Sequence, residues 1–245
     1  MVDVVYPLGN GSLWNDNELR YSLRSLEKNL LDLRNVYIIG RLPNFITNVI
    51  NIPVSDSLRQ NKDGNIIHKV ITACNRTEIS PIFVRLSDDQ LFLKPIRSSD
   101  IDFWYLRQMT DDDFKDLKKL NNWGKRLFNT YKILKQQGLT TFNYDCHIPS
   151  LIDKYSFVDI MQKYPYNLER EGFTINSLYF NNLKNIGKQI NESTRFNIEF
   201  PMEKEKIKIG FEKNIFLNYN ERGRNNNLQE VIEETFGFRS KFEIF

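Results

Sequence analysis

The feature that most constrains this chain is a pair of apolar runs flanking a single amphipathic stripe within its first forty residues. Val2 to Leu8 is a strand-like run that ends in Gly9-Asn10-Gly11. Leu19, Leu23, Leu26 and Leu30 then recur three or four residues apart, the spacing of one buried helix face. Asn15 is positioned to cap that helix, with Glu18 three residues on as in a capping box. Asn35 to Gly40 supplies a second strand. Strand, helix and strand of this length form a crossover unit, which implies parallel pairing and a right-handed connection.

The alternation continues. Val49 to Pro53 reads as a third strand, Ile66, Ile67, Val70, Ile71 and Cys74 as a second amphipathic helix, and Pro81 to Leu86 as a further buried strand. Beyond residue 100 the pattern changes. Asp111, Asp112 and Asp113 suit the positive start of a helix. Trp123, Leu127, Tyr131 and Leu134 mark a helix that Gly138 ends, and Ser150 to Tyr164 and Asn226 to Phe236 also read as helices. Ile215 to Tyr219 reads as a late strand, and Asn185 to Glu205 as a polar, mobile loop. The expectation is one α/β domain over residues 1–245, with a mainly parallel central sheet and a helical insert at about 105–140.

With 40% apolar residues among 245, such a chain can bury a sizeable core. A formal charge of only +3 does not mark a nucleic-acid binder. Cys74 and Cys146 fit neither a disulfide framework nor a metal-ligand spacing, so a reducing cytoplasm is the expected setting. The first residues carry an acid and no basic segment, unlike a secretory leader. No apolar run approaches the roughly 20 residues that span a bilayer, so no membrane partner is expected.

The strongest chemical signal is Ser87-Asp88-Asp89, directly after a buried strand. Open α/β sheets bind ligands at the carboxyl ends of their strands. Two adjacent carboxylates there are costly unless paired, hydrogen-bonded or bound to a cation. A divalent cation satisfies them and completes its shell with phosphate oxygens, which matches a nucleoside-diphosphate sugar. The competing reading is a solvated acidic turn. Gly9-Asn10-Gly11-Ser12 lets the backbone approach a base or phosphate, as a plain strand-to-helix turn also does. His147, before Ile148-Pro149, can serve as a general base for an acceptor hydroxyl, or can be a buried, hydrogen-bonded histidine. Arg170 is a candidate phosphate contact. Lys115, Lys118, Lys119, Lys125, Arg126, Lys132 and Lys135, interleaved with Trp123 and Tyr131, suit either a polyanion such as DNA or a solvated helix with its aromatics in the core.

Four blocks in order resemble the Stealth family of sugar-phosphate transferases. Asp3-Val4-Val5-Tyr6 with Asn10-Gly11 is similar to its first block, and Asn15 to Ser25 to the opening of its second. Leu86 to Pro95 resembles the end of that second block, and His147-Ile148-Pro149 with Asp153-Lys154 the third. Leu217 to Glu221, Phe236 and Ser240 to Glu243 resemble the fourth. The chain departs from the family where Ser87 replaces Asn, Gln90 an acidic residue, and Glu221 Asp. The resemblance implies a GT-A-like fold and a divalent metal, magnesium or manganese, held by Asp88, Asp89, Asn220 and Glu221. It implies His147, Asp89 and Arg170 as catalytic residues, with Asn10, Gly11, Asp16, Arg20, Arg24 and Ser87 contacting substrate. The expected donor is a nucleotide sugar, with UDP as carrier. The acceptor is a glycan or, since short members resemble bacteriophage proteins, a hydroxymethylated base in DNA within the host cytoplasm. The substitutions at 87, 90 and 221 leave two reactions open, glycosyl and sugar-1-phosphate transfer. They also leave open an inactive protein that binds glycan or nucleic acid.

Overall fold

The computed structural model describes every residue except 169, 171, 184, 185 and 245. Its elements are β1 (Val2–Leu8), α1 (Asn17–Asn29), β2 (Leu33–Gly40), β3 (Ile50–Ile52), α2 (Lys62–Cys74), β4 (Ile82–Arg85), β5 (Gln90–Phe92), β6 (Trp104–Tyr105), α3 (Asn122–Gln136), β7 (Ser150–Asp153), α4 (Lys154–Met161), α5 (Ile175–Asn182), β8 (Lys188–Gln189), β9 (Arg195–Ile198), α6 (Lys204–Lys213), β10 (Phe216–Tyr219) and α7 (Asn226–Phe236).

The central sheet has the order β3-β2-β1-β4-β7. Its first four strands run parallel and β7 is antiparallel to β4. From β1 the chain winds outward to β2 and β3, then returns to β4 on the other side, so the carboxyl ends of β1 and β4 meet at a topological switch point. Strand alternation sorts the core into two faces. Val4, Tyr6 and Leu8 pack with Leu19, Leu23 and Leu26 of α1, while Val5 and Phe83 pack with α2, α4 and α5. Leu19, Leu23 and Leu26 are all fully buried. Each such leucine contributes about 1.5–3 kcal/mol by leaving water. A smaller sheet, β5-β10-β9, packs on α6 and α7.

The polar side of α1 fixes the junction between the sheets. Ser22 Oγ donates to the Gln90 carbonyl (2.6 Å), Ser25 Oγ accepts from the Phe92 N–H (3.1 Å), and Asn29 Nδ2 donates to the Phe92 carbonyl (2.6 Å). These buried groups tie β5 to α1, and β5 anchors the turn that precedes it.

Several local expectations are corrected. Asn15 does not cap α1: Asn15 and Asp16 both adopt left-handed backbone (φ 52° and 58°), which these residue types tolerate, and the helix starts at Asn17. Ser12 organises the turn instead, accepting from the Trp14 and Asp16 N–H groups and donating to Glu18 (2.7 Å). The Ser150–Tyr164 helix is a strand, β7, followed by α4, because a short apolar run has no period of its own and pairing with β4 decides it. The 185–205 segment, whose first residue Asn185 lies outside the described residues, holds β8, β9 and the start of α6. β9 is polar because it is an edge strand, paired only with β10. Asp111–Phe114 is a short 3-10 turn, and α3 follows at Asn122.

Candidate active site

Residues 86–90 carry the acidic turn out of β4. Gln90 holds it from inside: its Oε1 accepts from the Ser87 N–H (3.1 Å), and its side chain is almost fully buried. An acid at this position would add a third negative charge beneath Asp88 and Asp89, and the amide avoids that. Burial pushes both aspartates above the usual carboxylate range; Glu18 adds to the shift of Asp88, and Asp88 to that of Asp89. The Asn218 amide opposes the Asp89 shift, yet Asp89 Oδ1 and Asn218 Nδ2 both lack a hydrogen-bond partner. The hydroxyl of Tyr219 and Nε of Arg85 are unpartnered as well. Among the described residues these four atoms around the acidic turn have no protein partner, and water or an ion can satisfy each of them.

The turn opens into a cavity of about 590 Å³, within the size range of small-molecule sites. Its walls include Gly9, Asn10, Gly11 and Ser12 after β1, Ser87, Asp88 and Asp89 after β4, and Tyr219, Asn220 and Glu221 after β10. The glycine-bearing turn, the acidic pair and the late Asn-Glu pair, the first and last of them more than two hundred residues apart, therefore line one cavity. Gly40 makes the close approach at the strand ends possible: at φ 138°, a Cβ there would lie 2.0 Å from the Leu8 carbonyl oxygen.

Sequence reasoning missed Lys69, Asp56 and Arg224. Lys69, buried on α2, donates to the Leu8 carbonyl (2.7 Å) and to Asp56 (2.5 Å). Its position between Ile67 and Val70, a cation within an apolar stripe, was a usable signal. Arg224 bonds to Glu18 (2.7 Å) and lies over the Trp14 ring. No local pattern marks it, because the pairing spans 206 residues.

The other candidates are placed variously. Asp16 pairs with Arg41 (2.5 Å). Arg20 and Arg24 both clamp Glu243 (2.6 and 2.7 Å), which anchors the C-terminal segment against α1. Arg170 is exposed and lines a separate small recess with Lys125 and Arg126. Asn220 Oδ1 accepts from the Gly223 N–H (2.8 Å), while Glu221 is exposed at the cavity rim. His147 is outside the cavity lining, in left-handed backbone (φ 51°). His147 is exposed, but the protein crowded around its ring lowers its pKa by desolvation, with Asp145 and Glu199 opposing and Arg195 and Arg85 acting the same way. The shift is toward the neutral imidazole, the form able to accept a proton. Arg85, buried beneath the acidic turn, feels Asp145 and Asp89 alike and so stands between the two places.

The donor set fits a divalent cation in one way. Among the described residues no three His, Cys, Asp or Glu side chains converge on a point. Asp88 and Asp89 would be the carboxylate ligands, and the unpartnered Asp89 Oδ1 is the atom that lacks a positive partner. The remaining positions suit phosphate and water oxygens, as for magnesium.

This architecture is GT-A-like: a mainly parallel α/β sheet with an acidic turn at the switch point and helical additions. Solved structures agree. The chain is similar to the galactosyltransferase LgtC in complex with donor and acceptor sugar analogues, at 10% identity and a TM-score of 0.52, over 98% of this chain and 97% of that one. It is also similar to an active-site mutant of LgtC, at 11% identity and a TM-score of 0.50, over 96% and 95%. At such identities the likeness concerns the fold. No family model matches the chain, and no curated protein does. No helix among the described residues is long and apolar enough to cross a membrane.

Proposed function

We propose that this chain is a metal-assisted glycosyltransferase that takes its donor from a nucleotide sugar. The observation that carries the reading is the Asp88–Asp89 turn, desolvated and short of partners, opening into the cavity formed by the ends of β1, β4 and β10. The nucleotide lies along Gly9–Ser12, where the backbone can approach it closely, and its diphosphate faces Asp88 and Asp89. A bound magnesium or manganese ion supplies charge neutralisation of the leaving phosphate. Ser87 and the Asn220–Glu221 rim contact the donor, and neutral His147 accepts the proton of the attacking hydroxyl. UDP is the proposed carrier, as the sequence resemblance implies, and the LgtC complex with donor and acceptor sugar analogues shows a fold of this kind binding a donor analogue.

The four sequence blocks that resemble the Stealth family favour a second reading, transfer of sugar-1-phosphate. The two differ in the bond broken and hence in the nucleotide released. Incubation with mixed nucleotide sugars and manganese, followed by identification of the nucleotide, decides between them: a diphosphate for glycosyl transfer, a monophosphate for phosphosugar transfer. Absence of both, with no donor binding by calorimetry, would leave an inactive binding protein on this fold.

A glycan is the favoured acceptor over hydroxymethylated DNA. Four of the seven residues in the basic run that suggested DNA have acidic neighbours: Lys115 pairs with Asp112, Lys119 with Asp116, Lys135 with Asp111 and Arg126 with Asp63. Tyr131 is buried, with its hydroxyl on Asp111. Of the two interleaved aromatics only Trp123 stays partly exposed, too little for the series of stacking rings that single strands require.

A further inference from the structure

Resting on the proposed transfer reaction, we infer that the solvent-facing cluster of Trp123, His147, Arg195 and Glu199 is an acceptor subsite that binds one neutral hexosyl residue of a glycan. Four observations bring these residues together beside the donor cavity. The Trp123 and His147 ring centroids are 6.4 Å apart with planes tilted by 42°, so the rings do not stack on each other. Trp123 is partly buried and stands on the first turn of α3, anchored by the small cluster of Met109, Phe114, Leu127 and Tyr131. Arg195, at the start of β9, donates to the Cys146 carbonyl (2.5 Å), which fixes the residue preceding His147. Glu199, just past the end of β9, is exposed and acts electrostatically on both His147 and Arg195.

The end of β9 is welded to the donor cavity. Asn220, which lines that cavity, donates its N–H to the Ile198 carbonyl (3.2 Å). Gly223 packs so tightly there that a Cβ would lie 2.1 Å from the same oxygen. Glu199 therefore follows directly from a backbone contact with the donor wall.

The chemistry of the cluster selects its occupant. A hexose ring presents C–H bonds on one face and hydroxyls around its rim. An indole covers the apolar face, while a carboxylate, a guanidinium and an imidazole meet the hydroxyls, the usual division of labour in a small polar-ligand site. Backbone strain at His147, a non-glycine residue in left-handed conformation, is of the kind that persists where surrounding structure holds a functional side chain in place.

The test is saturation-transfer NMR of the full chain without donor, using lactose, maltose and N,N′-diacetylchitobiose as probes, beside an oligonucleotide containing hydroxymethylcytosine. The expected result is binding of at least one saccharide, weakened about tenfold or more in Trp123→Ala and largely retained in Trp123→Phe. Glu199→Gln should weaken the same saccharide several-fold without touching the aromatic wall. Calorimetry with UDP and manganese gives a separate readout, so failure of donor binding sinks the transferase reading without bearing on this one. The inference is overturned if no saccharide binds the unmodified protein, if only the oligonucleotide binds, or if Trp123→Ala, still folded by circular dichroism, binds saccharide as before.

Discussion

Two buried carboxylate sites in this molecule are built from the same chemistry and are treated in opposite ways. Glu243, near the C-terminus, is almost fully buried and over-satisfied: it accepts from Arg20, from Nε and Nη2 of Arg24, and from the N–H and hydroxyl of Ser240. Although burial alone would raise its pKa, Arg24 and the Ser240 backbone lead the groups that bring it down to about 2. Asp89 is under-satisfied, with one oxygen orphaned and its pKa raised by burial and by Asp88. A protein holds a carboxylate for its own stability by surrounding it with donors. It holds one for a ligand by withholding them. The contrast also explains why Arg20 and Arg24, in a block resembling a catalytic one, serve architecture: the C-terminal segment has spent them.

Replacing Asp89 by Ala should break the contrast most strongly. We expect donor turnover to fall by roughly a thousandfold, about 4 kcal/mol of transition-state stabilisation, in an enzyme assay with manganese. The melting temperature of the ligand-free protein should hold or rise, since an uncompensated buried charge is removed. Full activity in this variant would end the metal assignment.

Glu243→Ala should do the reverse. It leaves two arginines without their partner, and we expect a loss of about 3 kcal/mol in urea unfolding with turnover per folded molecule preserved. Equal losses of activity and stability would show that α1 and the cavity move as one. The same group sets an acid limb. Because its folded pKa of about 2 lies below its ordinary 4.5, its contribution is complete above about pH 4.5 and is lost as pH falls toward 2. Urea midpoints should therefore drop more steeply in that window for the unmodified protein than for Glu243→Gln.

A smaller effect tests the ligand side. UDP with manganese should raise the melting temperature of the unmodified protein by a few degrees, corresponding to roughly 2–3 kcal/mol at a hundredfold excess over Kd, and should leave Asp89→Asn unmoved. The smallest expected change is Gln90→Glu, which places a further acid under the turn. We expect about 1–2 kcal/mol of destabilisation without ligand, from like-charge crowding and loss of the neutral amide that holds Ser87.

Much of the fold was legible in the chain itself. The leucine stripe of α1, the apolar runs of β1, β2 and β4, and the stripe of α2 repeat with the periods of buried helices and strands, so type, order and parallel pairing follow from local pattern. Asn226–Phe236 is a helix with the bounds its sequence suggests. The acidic turn, too, was visible as two carboxylates after a buried strand. Where pattern was short it misled: Ser150–Asp153 and Arg195–Ile198 owe their strand form to partners far along the chain.

By itself, then, the sequence determined which segments are helix or strand wherever an apolar period runs long enough, and where an α/β sheet would place its acids. The tertiary structure alone decided which charges are spent and which are left over. Arg24 reaches Glu243 across 219 positions, Arg224 reaches Glu18 across 206, and Asp89 Oδ1 reaches no partner. A charge pair of that separation leaves no periodic trace, because the energy that fixes it comes from burial and geometry in the folded chain rather than from any local preference of the residues.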